Sequence, residues 1–165
     1  MPTWGEILKE LRIEFEKEKV PPFDKVRRKY LRELWKYTQR NTILYASKWT
    51  RSTNVPSDLI SITDEDVQGF MEVIAGLPGE SLDLIIHSPG GSAEATEALV
   101  KYLRSKFSDV RAIIPYGAMP AATMLACACN KIVMGKHSFI YKPHRSSGNS
   151  LYSLGYKNDP CSSYY

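Results

Sequence analysis

The sequence predicts an α/β fold with parallel strands, and three observations carry that expectation. Short apolar runs at 82–87, 110–115 and 131–134 read as buried strands. Between them lie helical segments: 93–107, with Ala95, Leu99, Tyr102 and Leu103 turned inward, and the small-residue stretch 120–129. The links are short, a tight loop at 88–91 and a turn at 116–119. A strand–helix–strand–helix–strand order with such links produces parallel neighbours and right-handed crossovers.

The elements ahead of that core follow from local rules. Thr3-Trp4-Gly5-Glu6 has the form of a capping box, a Thr oxygen for a backbone N–H and Glu three residues on. Ile7, Leu8, Leu11 and Phe15 then recur at helical spacing until Pro21-Pro22 stops the helix. A second helix is expected over 24–39, with Val26, Tyr30, Leu34 and Tyr37 on one face. Its other face carries Lys25, Arg27, Arg28, Lys29, Arg32, Lys36 and Arg40, which reads as a solvated surface rather than a nucleic-acid patch. Residues 42–47 read as a short buried strand, followed by a polar loop with Pro56. Thr63-Asp64-Glu65-Asp66 opens a further helix, its acids set where the N-terminal dipole favours them. That helix carries Val67, Phe70, Met71 and Ile74, and Gly and Pro end it at 76–79. The expected organisation is a helical extension over 1–40, an α/β domain over 41–140, and a polar tail over 141–165. The tail lacks helical or strand periodicity and is expected to be poorly ordered.

With 165 residues, 43% of them hydrophobic and 24% charged, the chain has room for one domain with a real core. A net charge of +4 is too weak by itself to imply a nucleic-acid partner. Cys127 and Cys129 lie two apart in a helical stretch and suit neither a disulfide nor a zinc site. With Cys161 they read as small buried hydrophobes in a reducing compartment. No apolar run approaches the roughly 18 residues of a membrane helix, and residues 1–19 are charged throughout. The expected location is the cytoplasm.

Two places attract chemistry, and they lie at the ends of neighbouring strands. In His87-Ser88-Pro89-Gly90-Gly91, glycines after a buried strand turn the backbone sharply and expose N–H groups. The rival readings are a plain tight turn or a phosphate loop, although neither G-x-G-x-x-G nor a P-loop pattern is present. In the segment 116–124, a strand runs through small residues into a helix N-terminus, a geometry that suits a nucleophile or an anion. The plain reading there is helix packing through alanine, with Pro120 at the favoured first position.

Taken together, strand–Ser-Pro-Gly-Gly–helix and then strand–turn–Ala-Met-x-Ala-Ala–helix resemble the Clp protease and signal peptide peptidase A group within the crotonase superfamily. More closely, the chain resembles the serine dehydrogenase proteinase family over roughly residues 1–140. Met1-Pro2-Thr3-Trp4-Gly5-Glu6-Ile7-Leu8, Val26-Arg27-Arg28-Lys29-Tyr30-Leu31, Ser61-Ile62-Thr63-Asp64-Glu65-Asp66 and Ile132-Val133-Met134-Gly135-Lys136-His137-Ser138 carry the likeness. The resemblance implies a ββα superhelix that hydrolyses peptide bonds without metal or organic cofactor. It implies an acyl oxyanion held by backbone N–H groups of Gly91 and Ala121, with Pro89, Gly90 and Gly91 along the substrate backbone. Peptide or protein substrates and an oligomer, of itself or with paralogue subunits, are the implied partners.

The chain departs from that pattern in two ways. Pro120 stands where the family carries its nucleophilic serine, and proline has neither a hydroxyl nor an N–H. Thr123, Ser88 and Ser92 are weaker replacement nucleophiles. Beyond Gly135-Lys136-His137-Ser138 the family continues into Gly-Pro-Ile-Asp-Pro and a further half-domain. Here Phe139-Ile140-Tyr141-Lys142-Pro143-His144 and the polar tail follow instead. The expectation is a C-terminally truncated fold, marginal alone, of the kind that a decayed or frame-shifted copy would give. His144 lies near the spacing of a Clp catalytic histidine but reads as a loop residue. His137 reads as a packing or surface residue, and His87 as a structural histidine that could touch substrate. The expected function is therefore an inactive serine endopeptidase relative. The alternatives are a non-catalytic peptide-binding or oligomerisation module and, more distantly, a crotonase-type acyl-CoA enzyme.

Overall fold

The computed structural model describes residues 2–50, 54–141 and 151–153, the last by its backbone alone. The chain divides into two compact units, 1–40 and 41–165.

The first unit is a helical hairpin of α1 (Trp4–Glu18) and α2 (Phe23–Thr38). The capping box forms: the Glu6 carboxylate accepts the Thr3 N–H at 2.6 Å, and the Glu6 N–H donates to Thr3 Oγ1 at 3.4 Å. Ion pairs cross between the helices. Lys25 pairs with Glu14 and Glu18, while Lys29 and the Tyr30 hydroxyl both reach Glu10 at 2.7 Å. Arg27 and Arg28 pair with Asp24 in their own helix. Much of the basic face is thus matched by carboxylates within the hairpin, which explains why it does not form a bare cationic patch. Tyr37, expected on one face with Val26, Tyr30 and Leu34, is 89% exposed in the last turn of α2, whereas Val26 is buried.

The second unit holds a four-stranded parallel sheet in the order β1 (Asn41–Ala46), β2 (Ser81–His87), β3 (Asp109–Ile114), β5 (Lys131–Met134). The connecting helices are α3 (Asp64–Ile74), α4 (Ala93–Lys106) and α5 (Pro120–Cys127). Sequential strand order with right-handed crossovers sends all three helices to one face. Leu82, Leu84, Ile86, Val110, Ala112 and Ile114 point to that face and are buried with Leu99, Leu103 and Leu125. A fully enclosed leucine or isoleucine contributes roughly 1.5–3 kcal/mol. Ala121, Ala122 and Ala126 let α5 sit close to the sheet. On the opposite face Asp83 and Arg111, directly paired across β2 and β3, form a bidentate ion pair at 2.6 and 2.9 Å.

A second, smaller sheet corrects the expected turn at 116–119. Gly117–Ala118 is a strand, β4, paired in parallel with β6 (Phe139–Tyr141), and β6 pairs antiparallel with β7 (Leu151–Ser153). Ser88 bridges to Ala118 in the same layer. β3 and β5 of the large sheet are thus each followed by a short strand of the small one, β4 and β6, and β2 by the Ser88 bridge, the ββα pattern. β7 lies inside the stretch expected to lack regular structure; residues 142–150 and 154–165, with His144 and Cys161, lie outside the described residues. The cysteines need a second correction. Cys127 is exposed at the end of α5, while Cys129 is half-buried with its Sγ 3.3 Å from the Leu125 carbonyl, and burial pushes its thiol up to about 12. Cys127 closes α5 and Cys129 lies in the turn after it, so the helix expected over 120–129 ends two residues early.

Candidate functional site

The loop after β2 and the N-terminus of α5 meet. Ser88 donates its N–H to the Gly117 carbonyl at 3.3 Å, and Met119 donates to the Ser88 carbonyl at 3.1 Å. A Cβ placed on Gly90 would lie 3.1 Å from the Ala121 nitrogen and 3.4 Å from that of Pro120. The predicted site residues on these two segments are therefore neighbours in space. Gly90, at φ 86°, makes the turn that permits the contact.

The backbone of Ile62 holds the other side of the loop. Its N–H donates to the Gly90 carbonyl at 2.8 Å, and its carbonyl accepts the Ser92 N–H at 2.9 Å. A parallel bridge of this kind uses the groups flanking Gly91, so the N–H of Gly91 itself turns away from Ile62. The Gly90 N–H is occupied by Ser88 Oγ at 3.1 Å, whereas Gly91 is exposed. Ala121 is the second residue of α5, and amides of a first helical turn have no acceptor within the helix. Pro120 itself is exposed at the first helical position. Met119 ahead of it is extended, at φ −87° and ψ 176°, as the residue before a proline must be.

The other hydroxyls near Pro120 are committed to the fold. Ser88 is fully buried, accepts from Gly90 and meets the Tyr45 hydroxyl. Ser92 caps α4, accepting from the Ala95 N–H at 3.0 Å and donating to Glu94 at 2.9 Å. Thr123 donates to the Ala118 carbonyl at 2.7 Å and accepts from the Tyr141 N–H at 3.1 Å, tying α5 to both β4 and β6. Thr123→Val is expected to cost about 1–3 kcal/mol, because it strands a buried carbonyl and a half-buried amide. Urea denaturation measures this.

Tyr45, Asp66, Trp49 and Phe139 surround this region, beside His87 and Tyr116, which open the two segments. Burial, the charge of Asp66 and a hydrogen bond to it all push the Tyr45 hydroxyl up from its ordinary value. Asp66 also accepts the Thr63 N–H at 2.8 Å, closing the first turn of α3. His87 packs between Trp49, at a ring-centroid distance of 5.5 Å, and Tyr116, at 5.8 Å; Phe139 completes the cluster against Tyr116 and Trp49. Only the long-range register of the strands brings these aromatics together, so no local pattern marked them. Ser47 Oγ, Trp49 Nε1 and His87 Nδ1 are buried and have no hydrogen-bond partner among the described residues. His137 is exposed.

Burial holds the His87 imidazole below its ordinary pKa of 6.5, partly offset by the Gly117 backbone. The unfolded chain therefore binds a proton that the folded ring resists. The resulting stability is complete above about pH 6.5 and falls as the pH drops through that value toward the lower folded pKa. The melting temperature is expected to fall between pH 7.5 and 5, and to fall less steeply in His87→Gln.

A parallel sheet with one-sided helices, a second small sheet, and a glycine loop abutting a helix N-terminus together define the ClpP-like α/β class. Residues 23–144 match the model of the ClpP-like SDH-type serine proteinases, and the chain belongs to that family. An uncharacterized protein of Methanocaldococcus jannaschii is 35% identical over 80 residues, covering 48% of this chain and 28% of the relative. A second uncharacterized protein of that organism is 36% identical over 78 residues, covering 47% and 27%. The matched stretch thus spans little more than a quarter of the length of these relatives. Among the described residues, no helix is long and apolar enough to cross a membrane.

Proposed function

We propose that this chain binds peptides in the family's manner without hydrolysing them. The observation that carries the reading is Pro120 at the first position of α5, with the hydroxyls of Ser88, Ser92 and Thr123 all engaged in the fold. In the proposed complex an extended peptide lies along Pro89, Gly90 and Gly91. One of its carbonyls accepts from the N–H groups of Gly91 and Ala121, and the positive end of α5 polarises it. Attack on that carbonyl needs a nucleophile that proline cannot supply. A peptide held this way is retained rather than cut. We further propose that the chain works in an assembly with itself or with an active relative, where such retention would modulate a neighbour.

The test pairs turnover with site-resolved protection. Fluorescein-labelled casein should be left intact, while tryptic casein peptides should slow amide exchange at Gly91 and Ala121. Casein turnover, or unchanged exchange at both amides, contradicts the proposal.

A further inference from the structure

We propose that the groove between α3 and the open edge of β1 is a docking site for an extended, basic polypeptide segment, which joins the sheet as an added strand. Its lining includes none of Pro89, Gly90, Gly91, Pro120 and Ala121, and the inference does not depend on the peptide reading above. It encloses about 330 Å³, near the lower end of the range for ligand sites.

Three features select the occupant. The first is the edge. Ser47 donates its N–H to His87 in β2, so by alternation the peptide groups of Tyr45 and Ile43 also face β2. Those of Leu44 and Ala46 therefore face outward, where a further strand can pair with them.

The second is the shape. Ile43, Tyr45 and Phe70 form an apolar floor, and Leu59 and Val73 stand on the rim at 69% and 56% exposure. A strand paired with Leu44 points every second side chain toward this floor.

The third is charge. Asp58 and Glu65 line the mouth and are both exposed; among the described residues neither is ion-paired and no Lys, Arg or His lines the cavity. Asp66, the remaining acid, is already held by Thr63 and Tyr45. An arginine or lysine fits this arrangement: its methylene stem covers Leu59 and Val73 while its cationic head reaches the carboxylates. An acidic or wholly apolar segment leaves both carboxylates unmatched.

The experiment uses a fluorescein-labelled heptapeptide of alternating valine and threonine with a central arginine, and a second with glutamate in that position. The arginine peptide should bind at least tenfold more tightly by anisotropy and should slow amide exchange at Ala46. The Asp58→Lys, Glu65→Lys double variant should lose that tenfold preference while keeping its melting temperature. Asp58→Asn, Glu65→Gln provides a gentler version if the lysines disturb α3. Equal affinity for the two peptides, no binding, or protection at Gly91 and Ala121 in place of Ala46 would overturn the proposal.

Discussion

Replacing Gly91 by alanine is expected to destabilise the α/β unit by about 3 kcal/mol or more, as far as overpacking a rigid site does. The new Cβ would stand 2.3 Å from both the nitrogen and the carbonyl oxygen of Ile62. These are backbone atoms, already bonded through Gly90 and Ser92, so no side-chain rotation relieves the clash. Either the Ile62 bridge breaks or the loop lifts away from α5. A melting-temperature drop of roughly 6–12 °C should follow for a chain of this length. Gly69→Ala is the comparator, since Gly69 lies inside α3 with nothing within 4 Å of an added Cβ. That change should stabilise the helix by about 0.5–1 kcal/mol. If the two variants melt alike, the close contact between Gly91 and Ile62 is wrong.

Arg111→Met is the second large change. Asp83 has no exposed surface, and Arg111 supplies two N–H donors to it from the facing position on β3. Removing that cation leaves a buried carboxylate short of its strongest partner, at a cost of about 3–5 kcal/mol. Because the two residues lie directly opposite in register, the effect should be pairwise. A double-mutant cycle with Asp83→Leu should return a coupling of about 2 kcal/mol or more. Additive effects would mean that Arg111 acts through other neighbours.

Much of the fold was legible because the strands and helices of the core obey local periodicity. The apolar alternation of β2 and β3 and the small-residue face of α5 appear in sequence as they appear in space. The two-residue strand β4 was not legible, since Gly117-Ala118 carries no period and its pairing partner, Phe139–Tyr141, lies about twenty residues on. The tail hid β7 for the same reason: three residues acquire strand geometry only from a neighbour. Cys127 looked like a core residue by type, but helical phase alone decides its exposure, and α5 buries its alanines instead. At the site, the glycine loop and Pro120 were readable as chemistry. Ile62, which braces Gly91, and Tyr45, which links Ser88 to Asp66, were not, because side chain and brace come from distant strands.

The central claim is that no nucleophile replaces the one lost at Pro120. Incubation with a fluorophosphonate, followed by intact-protein mass spectrometry, tests it most directly. The chain should show no phosphonyl adduct under conditions that fully label an active serine proteinase. A stoichiometric adduct on the native chain, abolished by Thr123→Ala or Ser88→Ala, would contradict the account.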